Sequence, residues 1–567
     1  MSPAGWSGRL VSYPAEAVAR YRAAGLWGTA TIAGEFRTVA DRVPGHLALV
    51  TAEGRLTYRE LDEQADRLAA GLTELGLAPG DRVILQLSNR LITVVTWYGL
   101  LKAGLIPVCT LAAHRGHEIG AISRRTQAVA HIVDTRAGRF DLVAFAREQQ
   151  QGHPTLRHVL TTGADDRDGG RDGGIRVEDL LDRSDPAEGR KVVDNIQAGI
   201  DADDVAVFQL SGGTTGVPKI IPRLHAEYWY NARAFAAVSG FTEETRNGHL
   251  IPVIHNAGVV IGMHAPHSAG GAMILTGPDL GQALPLLAAE GVTDILLGHG
   301  HYDAVRNPAF PALTATLRRA LLSGAKVPPP LFERLEQLGV WAGQTFGMGE
   351  GFFAVSQPDS DRAARLTTVG TPMSPLDEFR VLAPGTEDQL PDGETGELAT
   401  RGPYTLRGYF DAPEQNRSAF TTDGFYRTGD LVRVRVFGAE RCISVEGRIK
   451  DMINRGGEKI SAEEVEGLLM RHPLVRAAAV VAMPDPRLGE RTCAYLVTEG
   501  TVALGEVQQH LARLGVAKFK WPERIEQIAE LPKTSVGKVD KKRLRQDIAA
   551  KLRPEQGDHH EPRPVRD

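Results

Sequence analysis

Leu210-Ser211-Gly212-Gly213-Thr214-Thr215-Gly216-Val217-Pro218-Lys219 places three glycines, three hydroxyls and a lysine directly behind the apolar run Val205–Leu210. Glycines let backbone N–H groups approach a polyphosphate closely, the hydroxyls add donors, and Lys219 supplies charge at the end of the loop. The stretch reads as a phosphate cradle. It is not a Walker loop, which needs Gly-x-x-x-x-Gly-Lys-Ser/Thr opening a helix: Pro218 stands where the second glycine should be and Ile220 follows the lysine. A different class of ATP user is expected, although composition alone also allows an ordinary turn between strands.

Working outward, 567 residues are too many for one core, and 42% hydrophobic with 24% charged residues is an ordinary globular composition, so two or more domains are expected. A net charge of −5 with scattered basic residues gives no reason to expect a nucleic-acid or membrane surface. Cys109, Cys442 and Cys493 match no metal or redox spacing and suit no disulfide framework. With no signal-peptide pattern and no run of ~20 apolar residues, a cytoplasmic protein is expected.

Val83–Leu87, a helical pattern at Val94–Ala103 and Ile106–Val108 read as strand, helix, strand, and similar alternation recurs to about residue 440. The expected fold class is α/β. From Gly447 a smaller unit is expected, with a helix Ser461–Met470 capped by Ser461 over Glu464, strands Ala477–Ala482 and Cys493–Val497, and a helix Gly505–Leu514. The polar, Gly-rich stretch 163–174 reads as a surface loop and Arg553–Asp567 as a frayed tail.

Five further motifs follow in order: Phe346-Gly347-Met348-Gly349-Glu350, Gly396-Glu397-Leu398, Tyr426-Arg427-Thr428-Gly429-Asp430, Gly447-Arg448-Ile449-Lys450-Asp451 and Pro532-Lys533-Thr534-Ser535-Val536-Gly537-Lys538. With the cradle, they resemble the adenylate-forming superfamily of acyl-CoA synthetases, nonribosomal adenylation domains and luciferases. Gln209-Leu-Ser-Gly-Gly-Thr-Thr-Gly, Arg401-Gly-Pro-Tyr-Thr-Leu-Arg-Gly-Tyr and Ile453-Asn-Arg-Gly-Gly-Glu-Lys-Ile bring the likeness nearer to the stand-alone aryl acid–AMP ligases, such as the 2,3-dihydroxybenzoate–AMP ligases, almost end to end. The resemblance implies a large N-terminal domain of α/β layers in several subdomains (1–449), a small mobile α+β C-terminal domain (450–550) and a disordered tail (551–567).

It also implies roles. Two anions must be held in line when a carboxylate meets the α-phosphate of ATP, so the site has to neutralise charge. Lys538 resembles the family's mobile lysine, which bridges carboxylate and phosphate; by itself it would read as a solvated surface lysine. Glu350 resembles the Mg²⁺ ligand, a hard carboxylate for a hard cation, and otherwise a turn residue. Ser211, Gly212, Gly213, Thr214, Thr215, Gly216 and Lys219 would hold the phosphates, Gly324 and Ala325 would pack against the adenine, Gly347 and Met348 would also bind the nucleotide, and Asp430 would take the ribose hydroxyls and Arg448 ribose or phosphate. Lys450 aligns with the hinge between two domain poses, and Gly456 and Gly457 with the channel for a phosphopantetheine thiol. His255, Asn256, Ile261, Ser323, Gly324, Gly349 and His299 would line the acid pocket, with His255 also among the catalytic residues.

The acid pocket departs from the family pattern. Ile254-His255-Asn256-Ala257-Gly258-Val259-Val260-Ile261-Gly262-Met263-His264 keeps the His-Asn pair and loses the serines of the usual Ser-Ser-Pro-Gly turn. Losing a partner for a buried hydroxyl costs about 1–3 kcal/mol, which argues against a catechol. Gly298-His299-Gly300-His301-Tyr302 replaces Val-Pro-Pro, and Phe352-Phe353 fills space elsewhere. Either His299 or His301 is a candidate for a polar substrate group, or both sit on a loop surface. His264-x-x-His267 has half a zinc spacing, but Ala265-Pro266 argues against one shared helical face and no third ligand is evident.

The expected reaction is ATP- and Mg²⁺-dependent adenylation of an aromatic or heteroaromatic carboxylic acid, followed by transfer to the phosphopantetheine of a carrier protein supplied in trans, or to CoA, in secondary metabolism. Two other readings stay open: an enzyme activating nitrite for an aryl amine, and a non-catalytic nucleotide-binding relative.

Overall fold

The structure is a computed structural model, and it describes residues 6, 8–163, 175–211, 218–324, 327–455, 458–514, 516–534 and 537–555. The chain divides into two compact units. The first holds residues up to Phe379 with Ala399–Arg427 and Val436–Cys442; the second takes Arg380–Leu398, Thr428–Arg435 and everything from Ile443.

In the first unit the alternating strand and helix patterns become two sheets. A seven-stranded sheet runs 175–176, 158–162, 130–134, 82–86, 106–109, 205–210, 220–224, parallel except for the last pair. A nine-stranded sheet runs 371–372, 353–355, 341–347, 319–323, 294–298, 246–249, 272–275, 47–51, 54–57, parallel through its middle. Between them lies a helical layer that includes Tyr58–Glu74, Leu91–Lys102 and His225–Val238. Leu91–Lys102 is apolar on every side because it touches core all round: each residue from Ile92 to Lys102 is buried. Separate apolar clusters cover the outer face of each sheet.

The second unit is built on a five-stranded, mostly antiparallel sheet. Period-two alternation is plain in Val475–Asp485, where Val480 faces one core and Ala479 and Val481 the other. The expected cap is present: Ser461 Oγ accepts from the Glu464 N–H at 3.3 Å, opening the helix Ala462–Leu469. The helix Leu504–Arg513 is also where the sequence put it. Helix Lys541–Glu555 extends a few residues into the stretch read as tail. The polar stretch 164–174 lies outside the described residues. All three cysteines are free and buried.

Candidate functional site

The Val205–Leu210 strand returns at once as Ile220–Leu224 in an antiparallel hairpin, whereas a Walker loop leads into a helix. The loop is pinched at its base in both directions: Ser211 N–H donates to the Lys219 carbonyl at 2.9 Å and Lys219 N–H to Ser211 Oγ at 3.0 Å. Gly212, Gly213, Thr214, Thr215 and Gly216 lie outside the described residues, as do Ala325, Gly456 and Gly457.

Lys219 extends its ammonium over the ring of Tyr409, 4.2 Å from the centroid. Burial holds its pKa below the usual lysine value, while Glu350 opposes that shift. Glu350 is buried on the turn after Trp341–Gly347, and its Oε1 accepts from the Tyr409 hydroxyl at 2.8 Å. Tyr426 Oη lies 2.8 Å from Tyr409 Oη and so acts as the donor behind it. At two positions this turn has no room for a side chain. A Cβ at Gly347 would sit 2.3 Å from the Phe353 ring, and Gly351, at φ +117°, has its Cβ position 1.6 Å from the Tyr404 carbonyl. Phe353 therefore packs beneath the motif.

Motif reading missed a buried knot that ties this turn to the His-Asn segment. Arg223, at the end of its strand, meets Glu227 in the first turn of the next helix, with Nε and Nη2 each donating at 2.8 Å to the two carboxylate oxygens. Glu227 also caps its own helix by accepting from Leu224 N–H at 2.9 Å. The remaining N–H groups reach Asn231 Oδ1 (3.3 Å), Asn256 Oδ1 (3.2 Å) and the Gly349 carbonyl (3.0 Å). Asn256 Oδ1 accepts a second hydrogen bond from Tyr228 at 3.0 Å, and its Nδ2 donates to the Met348 carbonyl at 3.2 Å. Asn256, expected to meet substrate, spends its acceptor on the scaffold. The available signal was an arginine in an apolar strand with a glutamate four residues on.

The acid-pocket residues gather where the nine-stranded sheet changes direction. Strands 246–249 and 294–298 are parallel neighbours. From the first the chain leaves on the side of the central helical layer; from the second it leaves on the outer side. In an open α/β sheet such a divergence leaves a crevice beyond the carboxyl ends of the strands. His255 and Asn256 flank it on one side, and Gly298, His299 and His301 on the other. The Cβ position of Gly324 lies 3.5 Å from His299 N and 3.7 Å from its Cβ, and the Ser323 carbonyl accepts from Tyr302 Oη at 3.3 Å. His255 Nδ1 accepts from Ala257 N–H at 3.3 Å, which leaves its proton on Nε2. His299 is exposed and His301 half-buried. Ile261 is buried and lines a small cavity with Phe235, Asn247, Leu296 and Leu321.

One expectation is corrected here. Gly258–His264 is a π-helix that runs directly into the helix Ala265–Ala269, so Pro266 does not separate His264 from His267; it sits in the first turn of the α segment, where a missing N–H is tolerated. Both rings are structural. His264 Nε2 accepts from Trp97 Nε1 at 2.9 Å, and His267 lies 2.7 Å from Tyr98 Oη and 2.9 Å from the Ala48 carbonyl.

In the second unit the two residues assigned to the ribose hold each other. Arg448 donates to buried Asp430 through Nε at 2.6 Å and Nη2 at 3.3 Å. Lys450 lies in the short turn Ile449–Asp451, and its pKa is lowered by burial and by Arg448. Lys538 is exposed on a tight turn, where Thr534 N–H donates to its carbonyl at 2.6 Å.

Among the described residues no helix is long and apolar enough to cross a membrane. Residues 36–410 match the model of the AMP-binding enzyme family, and residues 464–538 that of the AMP-binding enzyme C-terminal domain. The chain is 41% identical to a salicylyl-CoA synthase / salicylate adenylyltransferase of a Streptomyces species, across 96% of this chain and 98% of that one. It is 37% identical to the 2,3-dihydroxybenzoate–AMP ligase of Bacillus subtilis, across 95% and 98%. Among solved structures, the apo structure of Mycobacterium smegmatis MbtA superposes with a TM-score of 0.71 at 36% identity, covering 96% of this chain and all of that one. The chain belongs to the AMP-binding family of adenylate-forming enzymes, as an adenylate-forming ligase.

Proposed function

We propose that the protein joins an aromatic carboxylic acid to the α-phosphate of ATP, releasing pyrophosphate, and passes the acyl group to the thiol of a carrier-protein phosphopantetheine or of CoA in the cytoplasm. The observation that carries this reading is the Arg223 knot: one guanidinium donates both to Asn256 beside the acid crevice and to the Gly349 carbonyl next to Glu350. Two sites that must be held in register for in-line attack are thus fixed to one rigid centre. The relatives' aromatic acids support the substrate class.

Mg²⁺ fits this chain on the chemistry of the donors. No cluster of three or more His, Cys, Asp or Glu suited to a metal occurs among the described residues. A lone buried carboxylate with one oxygen already bonded to Tyr409 suits an ion that keeps most of its waters and takes phosphate oxygens. Glu350 would hold it, and when bound it would neutralise phosphate charge. Lys219 would add a positive charge to the phosphates, with the 211–216 loop around them, and Gly324, Ala325, Gly347 and Met348 would flank the adenine. His255, with its proton on Nε2, would donate towards the acid. We assign Lys538 to the carboxylate and α-phosphate, Asp430 and Arg448 to the ribose once their mutual pair opens, Lys450 to the hinge, and Gly456 and Gly457 to the thiol path.

The test is acid-dependent ATP–pyrophosphate exchange over a panel of aryl acids, with AMP release on adding CoA or a carrier protein. Exchange with an aryl acid that is lost in Lys538→Ala supports the reading. Silence with every acid overturns it.

A further inference from the structure

His249 ends the strand Arg246–His249 and is fully buried, yet neither of its ring nitrogens has a hydrogen-bond partner. A buried polar ring left in this state costs free energy, so it is retained where something else completes it. Its place is built. The ring lies flat on the π-helix, where a Cβ at Gly262 would come within 2.7–2.9 Å of it, so only glycine at that position admits the imidazole.

His301 stands on the opposite wall of the crevice. Its Nδ1 is likewise buried without a partner and lies 3.7 Å from the Cβ position of Gly298, at the end of the neighbouring strand. His301 and His255 are both close enough to oppose protonation of His249. The Ile251 backbone also approaches the His249 ring and favours its protonated form, outside hydrogen-bonding geometry. Burial dominates and takes the His249 pKa down to about 3, and it lowers that of His301 as well. At neutral pH both are neutral imidazoles, each offering one N–H and one lone pair. Neutral imidazoles match a hydroxyl, an amine or a ring nitrogen and offer no countercharge to a second carboxylate.

We propose that His249 and His301 form a polar subsite of the acid pocket, one imidazole from each wall of the crevice, which takes an uncharged hydrogen-bonding group carried by the aromatic acid. The substrate class is thereby narrowed to aryl or heteroaryl acids with a ring hydroxyl, an amino group or a ring nitrogen. The inference rests on reading the crevice as the acid site.

The experiment compares pairs of acids that differ by one ring hydroxyl, amino group or ring nitrogen, in ATP–pyrophosphate exchange, with wild type, His249→Leu, His249→Gln and His301→Leu. In wild type one polar member is preferred over its unsubstituted partner. Each leucine variant is expected to reduce that kcat/KM ratio by about ten- to a hundredfold, and glutamine, which keeps a donor and an acceptor, to restore part of it. A ratio unchanged in the folded leucine variants, or a loss equal across all acids, overturns the subsite while leaving the adenylation reading intact. If His249→Leu does not fold, the half-buried His301 carries the same test alone. Wild-type silence with every acid overturns the adenylation reading, and the subsite with it.

Discussion

Arg223 and His249 are both buried beside the same crevice, and their hydrogen-bond accounts are opposite. All five N–H groups of Arg223 find acceptors, on Glu227, Asn231, Asn256 and Gly349. His249 has none for either ring nitrogen. Burial of a polar group therefore does not itself mark a ligand site. A saturated centre is scaffold, fixing what surrounds it, whereas an unsaturated one keeps capacity that a substrate can use.

The sharpest way to break that contrast is to delete each centre. Arg223→Met leaves the Glu227 carboxylate buried without its partner and is expected to cost about 3–5 kcal/mol in urea unfolding. Arg223→Lys should recover little, because an ammonium cannot reproduce the two-pronged contact. His249→Leu removes an unsatisfied group and should leave stability within about 1 kcal/mol of wild type. Equal losses from the two deletions would erase the distinction between scaffold and receptor.

Glu350 provides the next test, since it stands next to the carbonyl that Arg223 holds. Glu350→Gln keeps the shape and removes the charge. It is expected to lower kcat/KM for exchange by roughly a hundredfold and to raise the Mg²⁺ concentration needed for half-maximal rate. Tyr409→Phe removes only the hydroxyl that donates to Glu350. A smaller loss is expected, up to about tenfold, with the same shift in Mg²⁺ requirement. A full-strength loss in Tyr409→Phe would mean the hydroxyl acts on substrate directly and not through Glu350.

What could be read from the sequence follows the range of the interactions involved. The strand Val205–Leu210 and the Ser461 cap are local, fixed by residues within a few positions of each other, and the sequence places them correctly. The pairing of Arg223 with Glu227 was within reach as an i, i+4 pair, but its extension to Asn256 and Gly349 depends on strand order. His249 was out of reach, since an orphaned nitrogen is defined only by the absence of neighbours from Gly262, Gly298 and His301. The π-helix defeated the reading of Pro266 for a related reason: the segment changes its winding at His264, so a proline that would break an α-helix interior falls at a segment start instead.

Acidification separates the two centres with the smallest effect. The folded-state pKa of His249, about 3, lies below the usual histidine value of 6.5, so the unfolded chain takes up its proton first. The stability this residue provides is complete above pH 6.5 and is lost as the pH falls towards 3. One such histidine gives about 1 kcal/mol between pH 6.5 and 5.5. His131, His225 and His267 are depressed in the same direction, to about 3, 4 and 4, so the measurement must be the difference between wild type and His249→Gln across that window. Arg223 keeps its charge throughout and adds no slope of its own. Wild type is expected to lose about 1 kcal/mol more than His249→Gln on going from pH 6.5 to 5.5, and the same slope in both would show that His249 finds a partner in solution. A bound acid that keeps the His249 imidazole neutral to lower pH leaves this slope in place, because the slope comes from the unfolded chain taking up the proton; a slope that falls on binding would show that the acid favours the protonated ring.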